Sequence, residues 1–295
     1  AGFYLPPTLG FRGSYALAVA TNVIVGLVAL FASRSGAETR SADDRRESPR
    51  VRVSAGRRTD ASIPTAMGIT LAFASGALTI GLELAWLRMF AQVLDNSVYA
   101  FSAITVVALV AFALASVAVD RLAVRTAPAA WLAYVLVAGA AVTALQPRLF
   151  VAITGDLAQV QSDGWREYVT RIFGMGIVFV GIPGFVVGLI FPWLLKSTRE
   201  AANAGASAGR LIAVNTAGAI TGSLVITFAL LPSVGLWPAF AVVALIYGML
   251  AVWIASTPQA RYRRALVMVL AAATAAVALT SAAVARVRLD SARDE

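Results

Sequence analysis

Few side chains in this sequence could do chemistry within its long apolar runs, and they fall in three stretches. Glu83 and Arg88 lie in GLELAWLRMF, Asp95 and Tyr99 in LDNSVYAF, and Arg210 and Asn215 in GRLIAVNTAG. A carboxylate in or at the edge of hydrocarbon costs about 2.5–3.5 kcal/mol on insertion scales unless a partner or water reaches it. Glu83 therefore reads in two ways. It is a cation or proton site, or it is half of a structural ion pair at the interface with Arg88, Arg171 or Arg210 as partner. The ion pair is the ordinary reading, because a helix starting at Pro64 carries Glu83 about 28 Å, to the far edge of the bilayer. Asp95, with Asn96, is placed to cap a helix starting near Val98; paired with Glu83 it would instead give a two-carboxylate site for a small cation. Asn215, in a charge-free helix, needs a hydrogen-bond partner in the bundle, and is structural by default or cavity-lining.

The elements that must position these residues are membrane helices. Of 295 residues, 59% are hydrophobic and 13% charged, and the mean hydropathy is +0.80, far above a globular domain. Cysteine and histidine are both absent, which removes disulfides, thiolate nucleophiles, imidazole bases and the commonest metal ligands. No catalytic residues, cofactor or metal are expected. A span needs about 20 helical residues for about 30 Å of hydrocarbon, and eight candidates satisfy this: 13–33, 64–84, 98–119, 128–146, 169–195, 211–231, 236–256 and 265–285. Segments such as 265–285 lack the strict alternation of barrel strands. The expected fold is an all-α, polytopic helical bundle.

The net charge of +9 is no nucleic-acid signature, since the basic residues sit between apolar segments. Residues 34–62 hold eight arginines and five acids without apolar periodicity, which reads as a solvated linker. If that linker is cytoplasmic, Arg121, Arg125, Lys196, Arg199, Arg210, Arg261, Arg263 and Arg264 share its side, sixteen of the twenty-four basic residues in all; this is the positive-inside pattern. The expected location is a bacterial inner membrane, with the lipid bilayer as the surrounding partner.

Shifting the chain by 225 residues aligns Phe3 with Phe228, Leu5 with Leu230, Pro7 with Pro232, Gly10 with Gly235 and Ala16 with Ala241. Each copy reads as a helix end, a Pro-and-Gly turn and another span. The organisation that follows is the end of a first membrane repeat (1–33), a basic linker (34–62), a second six-helix repeat (63–256), and a basic loop with an additional span (257–295). Within the second repeat, Pro183 beside Gly184 should kink the long fourth span. The pairs Gly184/Gly188 and Gly218/Gly222 expose backbone to a neighbouring helix.

Three stretches carry a resemblance: Gly81, Glu83, Trp86 and Arg88 with Tyr99 and Phe101; Gly188, Phe191 and Pro192; and Gly209, Arg210, Asn215, Thr216, Gly218 and Gly222. Together they resemble the membrane portion of fused spermidine synthase-like proteins, in which a major facilitator-like bundle precedes an aminopropyltransferase domain. The family usually has glycines where Ala111 and Ala115 stand, so the close helix approach there is expected to change. Asp120 and Arg121 resemble part of the facilitator loop motif, with Ser116 and Ala123 in place of its glycines. The resemblance implies a membrane module of a polyamine aminopropyltransferase whose catalytic domain lies beyond this segment, and makes a polyamine the cation expected at a Glu83–Asp95 pair. The alternatives are a facilitator-like transporter of a small, cationic solute and a membrane scaffold. Seven spans follow the linker, so a topology reporter fused within 34–62 should read the cytoplasm and one fused at Glu295 the opposite face; the same face for both would overturn the span count.

Overall fold

The computed structural model describes residues 65–94, 98–121, 128–158, 164–197, 204–257 and 264–291, with scattered helical positions between 8 and 27. The linker 34–62, Asp95, Asn96, Arg125, Arg199, Arg261 and Arg263 lie outside the described residues. The chain divides into two units, Ala1–Asp60 and Ala61–Glu295. In the first, Gly10 has φ +67°. Gly235, its counterpart in the sequence repeat, has φ +83° and separates two helices. Both conformations are ones that a side chain would strain.

The second unit is an all-α polytopic bundle, and its described residues contain no strand. The expected span 13–33 lies largely outside the described residues; among those that are described, seven helices are long and apolar enough to cross a membrane. They are α1 (Thr65–Phe90), α2 (Val98–Arg121), α3 (Pro128–Ile153), α4 (Trp165–Ser197), α5 (Gly205–Val234), α6 (Leu236–Ala255) and α7 (Arg264–Ser291). Side chains such as Leu109, Leu114, Phe228 and Val269 lie more than half exposed on the outside. In water such surfaces would be sticky, whereas in lipid they are the ordinary exterior. The protein is thus a multi-pass membrane protein.

Lipid offers no hydrophobic drive for helix association, so small residues that admit close packing decide which helices meet. On α1 and α5 the backbones touch. A Cβ added to Gly76 would lie 2.0 Å from the Asn215 carbonyl oxygen, one on Gly218 2.1 Å from that of Phe73, and one on Gly222 2.2 Å from that of Ala77. Phe73 and Ala77 facing Gly218 and Gly222, with Gly76 facing Asn215, make the two helices parallel with register offsets of 139 to 145. Elsewhere alanines suffice, and Ala144, Ala241, Ala244 and Ala278 join α3, α6 and α7. A Cβ added to Gly184 or Gly188 of α4 would lie 3.4 Å from the Ala111 methyl or 3.2 Å from the Ala115 methyl of α2. At these alanines the methyls meet bare glycine backbone.

The two ends of the bundle are marked by aromatic and charged contacts. Tyr99 at the start of α2 meets Trp165 at the start of α4, edge to face at 5.0 Å. At the opposite end the Lys196 ammonium donates to the carbonyls of Val119 (2.7 Å) and Asp120 (2.9 Å), closing the last turn of α2. Trp131 and Trp193 stack nearby at 5.8 Å. The Lys196 charge thus links the ends of α2 and α4 beside Asp120 and Arg121. Arg121, Lys196 and the starts of α5 and α7 all lie at this basic end.

Two spans are interrupted, each just before a proline. In α4 a π-turn covers Ile177–Gly181 and the Ile182 N–H bonds back five residues to Ile177. In α5 a π-turn covers Val225–Leu230 and the Leu231 N–H bonds back five residues to Ile226. Pro183 and Pro232 have no N–H for the carbonyl four residues earlier, and the widened turn is how each helix absorbs that loss. A further break at Leu189 precedes Pro192 by three residues. Gly218→Leu should lower stability by about 3 kcal/mol, the upper end for overpacking, because backbone rather than a movable side chain opposes it. Gly205→Ala, with open space at its Cβ, should be neutral; equal melting of both variants in detergent would contradict the backbone contact.

Candidate functional site

The Gly-x-Glu-x-x-Trp-x-Arg stretch lies wholly inside α1, which runs seven residues past Glu83 to Phe90. Glu83 is therefore not at the helix end that a span of 64–84 implied. It sits two helical turns from Gly76, on the flank between the α5 contact and the bundle interior, and is half-buried. Its neighbours in the motif fix the helix around it. Gly81 lies against the Ile226 side chain, with an added Cβ 2.7 Å from Cγ1, and Trp86 is fully buried.

The proposed ion-pair partners of Glu83 are elsewhere. Arg171 pairs with Glu167, one turn earlier on its own helix, at 2.6 Å. Arg210, by the α1–α5 register, faces residues 65–71, about 18–27 Å along the axis from Glu83. Arg88 is exposed, five residues on and off the same helical face. Among the described residues no ion pair or hydrogen bond reaches Glu83. The structural ion pair at the interface thus has no second member among these arginines.

The remaining sequence candidates are dispersed rather than gathered. Tyr99 belongs to the aromatic contact at one end and Arg210 to the other. Asn215 meets Gly76 through its backbone, two turns or about 10 Å below Glu83; its Oδ1 is buried without a hydrogen-bond partner. Asp95 lies outside the described residues, so the two-carboxylate pairing does too. Gly184 and Pro183 are buried on α4, Gly188 and Pro192 half-buried, and Gly218 and Gly222 buried in the α5 contact.

What sequence reasoning missed is a polar bridge in the interior beside the motif. Gln146, 2% exposed, accepts from the Trp86 indole N–H at 3.1 Å and donates from Nε2 to the Phe179 carbonyl at 2.6 Å. That carbonyl is the one Pro183 leaves without its helical donor. The amide orientation follows from chemistry, since its oxygen must meet an obligate donor and its nitrogen an obligate acceptor. One side chain from α3 thus ties α1 to the break in α4. The signal was present as a lone glutamine in VTALQPRLF, but a span ended at 146 put it at the boundary, where glutamine is unremarked.

Around this bridge the interior is sealed toward the Tyr99 end by aromatic rings. Phe150 stands edge-on to Phe179 at 5.0 Å and to Phe90 at 5.5 Å, with Trp237 at 6.2 Å. Two turns the other way along α1, Thr79 lies beside the fully buried Tyr247 hydroxyl without closing a hydrogen bond of good geometry. The Thr143 hydroxyl on α3 is also buried without a partner. No group of three or more metal-ligating side chains occurs among the described residues. No family model, curated protein or solved structure matches this chain. Gln146→Leu should strip both bonds and cost about 2–6 kcal/mol, at about 1–3 kcal/mol per unpaired buried group. It should also shift Trp86 fluorescence; an unchanged melting temperature would show that the bridge carries no stability.

Proposed function

We propose that this chain is the membrane domain of a spermidine synthase-like protein, and that it presents Glu83 as an intramembrane carboxylate to a polyamine. The observation that carries the reading is a carboxylate within a spanning helix that no described arginine or lysine neutralises. A lone charge there is unfavourable until a counter-ion or proton arrives. A polyamine is a counter-ion of matching chemistry, with ammonium groups that donate to carboxylate oxygens. The family resemblance points to the same solute class, and Glu83 belongs to one of the three stretches that bear it. Aminopropyl transfer itself then belongs to a domain that these residues do not contain.

A second reading, a facilitator-like transporter of a small cation, is favoured by a separate observation. Two spans carry π-turns next to prolines, and an aromatic plug closes the interior at one end beside the α4 break. Broken helices at mid-membrane are where transporters build sites and bend. The bundle on this reading moves the cation that Glu83 holds, with the plug as the barrier on one side.

Binding of labelled spermidine to the detergent-purified chain separates these ideas from a scaffold. Glu83→Gln should weaken binding about 10- to 100-fold, the range for a charge-assisted hydrogen bond worth about 1.5–3 kcal/mol. Glu83→Asp should recover part of it. Equal binding by wild type and Glu83→Gln would remove the site, and flux into proteoliposomes would distinguish transport from binding alone.

A further inference from the structure

The outward side of the α6–α7 pair holds a groove of about 370 Å³ whose lining is almost wholly apolar. Its walls include Met249, Val252 and Trp253 of α6 and Ala271 and Ala275 of α7. Small side chains carve it: Gly248 faces Ala271, whose methyl an added Cβ would meet at an ordinary 3.9 Å. Met249 is 63% and Trp253 41% exposed on its rim, so the groove opens to the hydrocarbon layer. In that layer an empty groove forfeits dispersion contacts along both walls, and the molecules at hand to fill it are lipid chains.

The direction of the groove identifies which lipid. Helices α6 and α7 are antiparallel, since Ala241 and Ala244 cluster with Ala278 while Gly248 meets Ala271. Five residues on from Gly248, Trp253 is level with Leu266, less than a turn from Arg264. The groove therefore runs from mid-membrane toward the basic end of the bundle, where Arg264 is exposed at the start of α7 and makes no ion pair among the described residues. A tryptophan and an arginine at the mouth of an apolar slot match the interface region of a phospholipid: glycerol level beside the indole, phosphate beside the guanidinium. Charge complementarity is sharpened by the sequence of the α6–α7 connection, 257–264, which holds three arginines and no acid.

We infer that the α6–α7 groove binds one acyl chain of an anionic phospholipid, whose headgroup is held by Arg264 at the basic end. The site is separate from Glu83 and does not depend on the solute. An arginine near a charged headgroup contributes about fivefold in affinity, which sets the scale of selectivity.

The test is native mass spectrometry of the full chain released from nanodiscs of equimolar phosphatidylglycerol and phosphatidylcholine. Wild type should retain phosphatidylglycerol about fivefold over phosphatidylcholine, and Arg264→Gln should level the two. Ala275→Phe, which fills the slot from α7, should lower retention of both lipids. Met249→Trp, from the exposed rim, should do the same and decides the matter if Ala275→Phe does not fold. Equal retention of the two lipids by wild type would overturn the inference, as would full retention by folded Met249→Trp. A dimer that Met249→Trp dissociates would also overturn it, because the groove would then seat a second copy of the chain.

Discussion

The contact on which the unit depends is the meeting of two helix backbones, α1 and α5, through Gly76, Gly218 and Gly222. In lipid, apolar side chains gain nothing by leaving the solvent, so what distinguishes one helix neighbour from another is how closely the chains can approach. At about 2 Å between an imagined Cβ and a facing carbonyl oxygen, only glycine is possible. That constraint fixes the register of α5 against α1, and with it every level along the bundle: Arg210 at one end, Asn215 beside Gly76, and Glu83 beside the π-turn of α5.

A second constraint acts within the helices. Each backbone carbonyl in hydrocarbon must find a donor, and prolines at 183 and 232 take donors away. The chain answers in two ways, by widening the turn before each proline and, in α4, by bringing Gln146 to the carbonyl of Phe179. The glutamine's oxygen is then occupied by Trp86. A helix break, a tryptophan of the family-like stretch and a residue on a third helix thus form one unit, in which deleting any member leaves a polar group stranded.

Glu83 stands apart from that economy. The interior satisfies Trp86 and the broken α4, whereas the carboxylate three residues before Trp86 is left to something other than a described protein group. Arg171 is engaged with Glu167, and Arg210 is at the far end. The contrast between a bridged glutamine and an unmatched glutamate on adjoining faces of one helix region is what turns Glu83 from an interface charge into a candidate binding group.

Much of this was legible in the residues. Length, hydropathy and the placing of arginines determined a multi-pass helical protein, because burial in lipid constrains composition residue by residue. Pro183 marked the break in α4, and the four-residue spacing of Gly218 and Gly222 marked a packing face, since both effects are local to one helix. Tertiary structure alone decided the rest. Which helix each glycine strip meets, that Arg171 and Arg210 do not reach Glu83, that Ala111 and Ala115 face α4, and that Gln146 serves both Trp86 and Phe179 are all pairings across 33 to 145 positions of sequence. Such pairings depend on the register between helices, and register is set by contacts that no single helix contains.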